Sequence, residues 1–112
     1  MNRRSVALFL GFALATAFMP GLAMAEDHLA EAIKHTKEAI EHGKAGHADV
    51  LVTHAEAGLK HAEAAEKAKA NPHTKEGIKH LEASIAEGKK KDAKAATEHA
   101  EEALTHLEQA TK

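Results

Sequence analysis

The chain has 112 residues, of which 17 are acidic, 15 are basic and ten are histidine, and its formal net charge is −2 with neutral histidines. This length suits a single small domain. The absence of cysteine excludes a disulfide scaffold, and mild acidity without a basic stripe argues against a nucleic-acid partner, because phosphate binding needs clustered Lys and Arg.

The N-terminal segment has the pattern of an export signal. An arginine pair at Arg3 and Arg4 precedes an apolar run over residues 6–19 that is too short to span a bilayer, and an A-x-A cleavage pattern ends at Ala25. The arginine pair alone is weak evidence for the twin-arginine route, so the general secretory route is the safer interpretation. We expect cleavage after Ala25, export from the cytoplasm, and a single mature domain of residues 26–112 that is monomeric and free of the membrane.

Cleavage would change the composition. The mature domain keeps no Phe, Met or Arg, and its only aromatic ring is imidazole. Losing two arginines from the 15 basic residues leaves 13 lysines against 17 acidic residues, a formal charge of −4.

The mature domain is predicted to contain four helices and no strand. The predicted segments are 27–42, 47–69, 72–87 and a fourth that follows residue 92 and reaches nearly to the C-terminus. Gly43 and Gly88 are predicted as C-terminal stops. Asn71 and Asp92 are predicted N-caps, and Pro72 suits a first helical turn.

The two halves of the domain form a repeat. A shift of 45 residues places His28 on His73 and His61 on His106 without any slip in register. We therefore expect an all-α, up-down-up-down four-helix bundle made of two 45-residue helical-hairpin repeats. The shift also places His42 on Glu87 and His47 on Asp92. Both replacements are possible metal ligands. The favoured interpretation is structural: Glu87 lies in the solvated last turn of its helix, and Asp92 is the N-cap of the next helix.

The histidines follow a seven-residue spacing, which occurs in six of the intervals between successive members. Seven residues make almost two helical turns, so each series lies in a line along one side of a helix. The predicted metal ligands are His28, His35, His42, His47, His54, His61, His73, His80, His99 and His106.

Apolar residues recur at fixed positions relative to the histidines. Counting each histidine as zero, large aliphatic residues lie at positions one and five, and charged residues fill most of positions two, three and six. The predicted core aliphatics are Leu29, Ile33, Ile40, Val52, Leu59, Ile78, Leu81, Ile85, Leu104 and Leu107. The residue at position four has a small side chain in almost every case. A neighbouring helix could therefore approach closely beside the line of histidines.

Antiparallel pairing places the histidines of each hairpin opposite one another. In the first hairpin the expected pairs have residue numbers that add to 89, and in the second the numbers add to 179. We call each pair of opposing residues a rung. The expected rungs are His28–His61, His35–His54, His42–His47, His73–His106, His80–His99 and the carboxylate pair Glu87–Asp92.

Imidazole is the commonest metal ligand among side chains. Two nitrogens bound to one ion lie only about 3 to 4 Å apart, whereas histidines seven apart are separated by roughly 10.5 Å along the helix axis. A site must therefore draw on the facing helix or on a carboxylate within one turn. Glu31, Glu38, Glu76 and Glu102 hold such places, although ordinary i,i+3 and i,i+4 helix pairing explains them equally well.

The ligand set favours borderline metal ions. Nitrogen with some carboxylate oxygen suits Cu(II), Ni(II), Zn(II) or Co(II), with Cu(II) bound most tightly in the general affinity order. Binding should weaken below about pH 6.5, where protons compete for imidazole. With only twelve large aliphatic residues, the metal-free bundle is expected to be marginally stable and to be stabilised by bound metal.

The repeated units DHLAEAIKHTKEAIEHGKAGH, LVTHAEAGLKHAEAA, GIKHLEASIAEGKK and TEHAEEALTHLEQA, with the signal segment, resemble the small metal-binding protein (SmbP) family of exported bacterial proteins. This resemblance implies a periplasmic four-helix bundle that binds several divalent metals, notably copper, with a role in metal scavenging or tolerance. The chain departs from the all-histidine pattern at Glu87 and Asp92.

Two other classes of function are less well supported. Di-iron enzymes in helical bundles use Glu-x-x-His motifs, and no histidine here has Glu three residues before it, so we predict that the chain is not an enzyme. The alternative is a pH-responsive helical interaction module of the cell envelope, without a metal role, whose histidines become charged in acid.

Overall fold

The computed structural model describes residues 21–112 and the side chains of residues 23–112. It contains α1 (Gly21–Lys44), α2 (Ala48–Ala68), α3 (Pro72–Lys89) and α4 (Ala93–Ala110), and this part of the chain has no strand. Residues 1–20 of the predicted signal lie outside the described residues, and residues 21–25 belong to α1. Within the described range, the helices are too short or too polar to span a membrane.

The four helices form an antiparallel bundle. Helices that are adjacent in sequence pack against each other, and α1 also packs on α4, so the helices occupy the corners of a square. At the α2–α3 connection, Glu66 contacts Lys75 with 3.2 Å between carboxylate oxygen and Nζ. Gly43, near the end of α1, lies against Thr97, near the start of α4. This arrangement confirms the predicted all-α four-helix bundle.

The core is centred on small residues beside the histidines. At position four, the buried small residues are Ala32, Ala39, Gly58, Ala65, Gly77, Ser84 and Ala103. Ala96, four residues after Asp92, is buried in the equivalent place, and the larger Leu51 is also buried. The predicted small face therefore lies inside the bundle. Five of the predicted aliphatics are buried, namely Leu29, Ile40, Leu81, Ile85 and Leu107. Others lie at the margin of the core, including the half-buried Ile33, Val52, Leu59 and Ile78. Alanine, glycine and hydroxyl residues thus fill much of the centre, together with the fully buried Leu51, Leu81 and Leu107. The many small residues allow neighbouring helices to lie close together.

Two of the predicted helix starts are confirmed by side-chain caps. The Asn71 side chain accepts a hydrogen bond of 2.8 Å from the His73 amide, and Pro72 occupies the first turn. The Asp92 side chain accepts a hydrogen bond of 3.0 Å from the Ala95 amide. Each cap satisfies an amide that has no partner within its helix.

The predicted glycine stops are wrong. Helix α1 continues through Gly43 to Lys44, and α3 continues through Gly88 to Lys89. Both glycines are buried. A Cβ atom at residue 43 would overlap the Thr97 hydroxyl, and one at residue 88 would lie 2.5 Å from Val52 Cγ2. These glycines permit close helix packing, while the left-handed turns fall later, at Gly46 (φ +84°) and Lys91 (φ 70°).

Helix α1 also begins earlier than predicted. The sequence pattern predicts a start at residue 27, whereas the helix includes residues from Gly21 onward. Residues 22–25 are leucine, alanine and methionine, which are good helix formers, and Ala25 is buried in the bundle.

Candidate metal centre

The histidines form one ladder along each hairpin. The first ladder comprises the six histidines of α1, α2 and the turn between them, and the second comprises the four histidines of α3 and α4. All five predicted histidine rungs are present, with ring centroids 5.3 to 6.3 Å apart. The rungs are His28–His61, His35–His54, His42–His47, His73–His106 and His80–His99.

Each ladder also contains diagonal contacts. His35 stacks on His61 with ring centroids 5.7 Å apart, and His42 stacks on His54 at 5.2 Å. In the second ladder, His80 stacks on His106 at 5.6 Å. The rings are almost parallel in all three pairs. Rungs and diagonals alternate, so six of the ten imidazoles contact two others across the hairpin, namely those of His35, His42, His54, His61, His80 and His106.

Four groups of two imidazoles and one carboxylate arise from these contacts. In each group, one ligand atom per residue lies within 4.8 Å of the other two. The loop-distal triads, so called because they lie farther from the turn of their hairpin, use the diagonal pairs. The loop-proximal triads use the rungs. The loop-distal triads are Glu31–His35–His61 and Glu76–His80–His106, and the loop-proximal triads are His35–Glu38–His54 and His80–His99–Glu102.

The loop-proximal triads have the tighter geometry. A single Glu38 oxygen lies 3.3 Å from Nδ1 of His35 and 3.2 Å from Nδ1 of His54. In the second hairpin, a Glu102 oxygen lies 3.1 Å from Nδ1 of His80 and 3.4 Å from Nδ1 of His99. Each carboxylate therefore reaches the facing helix as well as the histidine on its own helix.

Two nitrogen atoms in these triads are buried without a hydrogen-bond partner. They are Nδ1 of His35 and Nδ1 of His99, and both lack hydrogen-bond geometry to the nearby glutamate despite the short distance. Leaving a buried polar atom unpaired costs free energy. Each of these nitrogens lies near a carboxylate oxygen and a second imidazole, and imidazole nitrogen and carboxylate oxygen are both ligands of divalent metal ions.

The two loop-proximal carboxylates come from different helices. Glu38 belongs to α1, and the residue 45 positions later is Ala83; Glu102 belongs to α4, and the residue 45 positions earlier is Ala57. Both glutamates nevertheless lie three residues after a histidine on their own helix.

The remaining predicted ligands are arranged differently. Within the described residues, the three-ligand groups leave out His28, His42, His47 and His73. His28 forms a 3.1 Å Nδ1–Nδ1 hydrogen bond with His61, and His73 forms one of 3.3 Å with His106. Glu87 and Asp92 are also outside these groups, and Asp92 acts as an N-cap, which is the role that the sequence favours.

Protonation of one triad histidine is disfavoured. Burial lowers the pKa of His61 from its ordinary value of 6.5, and the nearby His28 and His35 lower it further, while Glu31 opposes them. A lowered pKa keeps the His61 ring neutral, the form that ligates metals, to a more acidic pH.

The bundle and its mixed imidazole and carboxylate groups define a class: a helical protein with several potential metal sites along its hairpins. The sequence matches the family model described as small metal-binding protein over residues 3–110, and the chain belongs to this family. The comparison with curated proteins gives no significant match.

Proposed function

We propose that this protein binds several divalent transition-metal ions through its heptad-spaced histidines. The observation that carries this proposal is the set of four triads, each with two imidazoles and one carboxylate within 4.8 Å. Metal binding is also the property named by the family description. The ten histidines predicted from the sequence are the proposed ligands, with the six triad histidines forming the strongest sites.

The preferred ion is proposed to be Cu(II), followed by Ni(II), Zn(II) and Co(II). Two nitrogens and one oxygen make a borderline donor set, and Cu(II) stands highest in the general affinity order for such sites. The sites lie along open helical hairpins, and every triad member is at least partly exposed. Exchangeable binding at accessible sites suits buffering, scavenging or tolerance of metals.

The protein is further proposed to act in the periplasm after cleavage at Ala25. This part of the proposal rests on the arginine pair, the apolar run and the A-x-A pattern of the N-terminal segment. Expression of the full chain in a Gram-negative host tests it directly. The mass of protein recovered from the periplasmic fraction should correspond to residues 26–112, and full-length protein retained in the cytoplasm would contradict it.

Native mass spectrometry of the recovered protein tests metal binding. We expect several Cu(II) ions at pH 7.5 and loss of most of them at pH 5.5, because protons compete for imidazole. Ni(II), Zn(II) and Co(II) should bind more weakly. If no metal binds, the proposal fails, and the pH-responsive interaction module becomes the better explanation of the ladders.

Two histidine variants provide matched comparisons. Replacing the six triad histidines by glutamine should abolish tight binding. Replacing His28, His42, His47 and His73 by glutamine should leave the tight ions in place, because these residues lie outside the triads. Equal losses in the two variants would show that the triads are not the principal sites.

A further inference from the structure

Within each hairpin, the two triads share one histidine. His35 belongs to both the Glu31–His35–His61 group and the His35–Glu38–His54 group. His80 has the same double membership in the second hairpin. No other histidine belongs to two groups among the described residues.

A shared histidine limits how many ions can be bound together. A neutral imidazole has one nitrogen with a free lone pair, because the other nitrogen carries hydrogen. It can therefore ligate one ion at a time. Filling both triads would require loss of the second proton to form a bridging imidazolate, with two dications held on one ring and repelling each other.

We propose that the two triads of each hairpin are alternative positions for a single tightly bound ion, so that the chain holds two such ions rather than four. This inference rests on the proposed function and adds to it the number of ions that the protein binds tightly. An ion at the loop-proximal position uses His35, His54 and Glu38; at the loop-distal position it keeps His35 and exchanges the other two ligands for His61 and Glu31. The second hairpin offers the equivalent choice around His80.

The alternative positions also give the carboxylates a specific role. Glu31 and Glu38 are four residues before and three residues after His35, so they lie on opposite sides of the shared ring along α1. Each one completes a different triad. Removing one carboxylate leaves the other position intact, and the ion moves to that position instead of being lost.

The experiment counts the Cu(II) ions that the protein retains in a chelator-buffered solution at pH 7.5, measured by native mass spectrometry. The variants are Glu31→Gln, Glu38→Gln, the double variant and His35→Gln. Glu41→Gln is the matched control, because Glu41 is exposed on the same helix and lies outside all four groups. The unchanged second hairpin is an internal reference, and far-UV circular dichroism verifies that each variant is folded.

We expect two tightly bound ions in the unmodified protein, in the control and in each single glutamate variant. The double variant and His35→Gln should each retain one. Four tight ions in the unmodified protein, falling to three in each single glutamate variant, would overturn the inference and leave the proposed function standing. Absence of any bound Cu(II) would overturn both.

Electron paramagnetic resonance provides a second readout on the same samples. Alternative occupancy predicts isolated Cu(II) signals at two ions per chain. A spin-coupled copper pair would show that an imidazolate bridges two filled triads in one hairpin, and it would overturn the inference even if the ion count were ambiguous.

Discussion

Replacing Gly77 by alanine should destabilise the protein through a steric conflict with Leu107. A Cβ atom at residue 77 would lie 2.8 Å from Leu107 Cδ2 and 3.0 Å from Leu107 Cγ, and its next neighbour is the Ala103 carbonyl oxygen at 3.6 Å. Leu107 is fully buried and has little room to move away. The conflict therefore involves one identifiable side chain.

The expected magnitude combines two opposing effects. Overpacking a core position costs about 1 to 3 kcal/mol, while replacing glycine by alanine inside a helix contributes about 1 kcal/mol of stability. The net loss is about 0 to 2 kcal/mol. Because a domain of this size loses about 4 to 8 °C per kcal/mol, the melting temperature should fall by as much as about 15 °C.

A double-mutant cycle isolates the steric part. Leu107→Ala alone should cost about 2 to 5 kcal/mol, because it leaves a cavity. In that background the obstacle is gone, so adding Gly77→Ala should stabilise the protein by about 1 kcal/mol through helix propensity. The two substitutions should thus be coupled by about 1 to 3 kcal/mol. The assay is urea unfolding of the four proteins without metal.

Gly46→Ala is the contrasting control. Gly46 has φ +84°, and a Cβ atom at this residue would meet no packed neighbour within 4 Å, so alanine there should be destabilising through backbone strain alone. Its effect should be additive with Leu107→Ala. If Gly77→Ala also proved additive with Leu107→Ala, within about 0.5 kcal/mol, the steric reasoning would be refuted.

Three further predictions concern linkage and capping. Cu(II) at about 100 times its Kd should stabilise the fold by about 2.7 kcal/mol per site, and an unchanged melting temperature relative to chelator-treated protein would contradict this. Because the pKa of His61 is lowered in the folded protein, the unfolded state binds more protons at acidic pH. The free energy of unfolding of the metal-free protein should therefore decline as the pH falls through 6.5. In urea titrations at pH 7.5 and 5.5, His61→Gln should reduce this pH dependence of stability. Asn71→Ala should cost about 1 kcal/mol in the same assay, whereas Asn71→Asp, which keeps the acceptor, should not.

The rungs could be predicted because they depend only on spacing. Heptad spacing fixes each histidine line on its helix, and short turns force antiparallel neighbours. Opposite residues in an antiparallel pair have a constant sum of residue numbers, so His28 and His61 could be paired without coordinates. The structure places these rings 5.3 Å apart.

The role of the glycines could not be predicted in the same way. A glycine at the end of an apolar helical pattern is typical of a C-terminal stop, and nothing local distinguishes Gly43 or Gly88 from one. Their buried positions depend on contacts with Thr97 in α4 and Val52 in α2. Such contacts arise from the packing of distant segments, which local sequence patterns do not reveal.

The histidines that each glutamate approaches also could not be predicted without the structure. Glu31 and Glu38 both lie within one turn of His35, yet they join different histidines of α2. Which partner each one reaches depends on the rotation of the two helices about their axes. The seven-residue spacing places both carboxylates beside the ladder but leaves that rotation undetermined.

The same small residues that limit the apolar area of the core bring the proposed ligands together. Gly77 directly follows Glu76, and Leu107 directly follows His106, so the contact between them lies next to the Glu76–His80–His106 triad. Larger side chains at these positions would bury more apolar surface, but they would also separate α3 from α4, since the distance between helix axes depends on the residues at the contact. Imidazoles on facing helices would then be too far apart to share an ion. The small residues beside the histidine line therefore lower the hydrophobic stability of the core but keep the proposed ligands on facing helices close together. Under the proposed function, a bound metal that links facing helices should stabilise the fold.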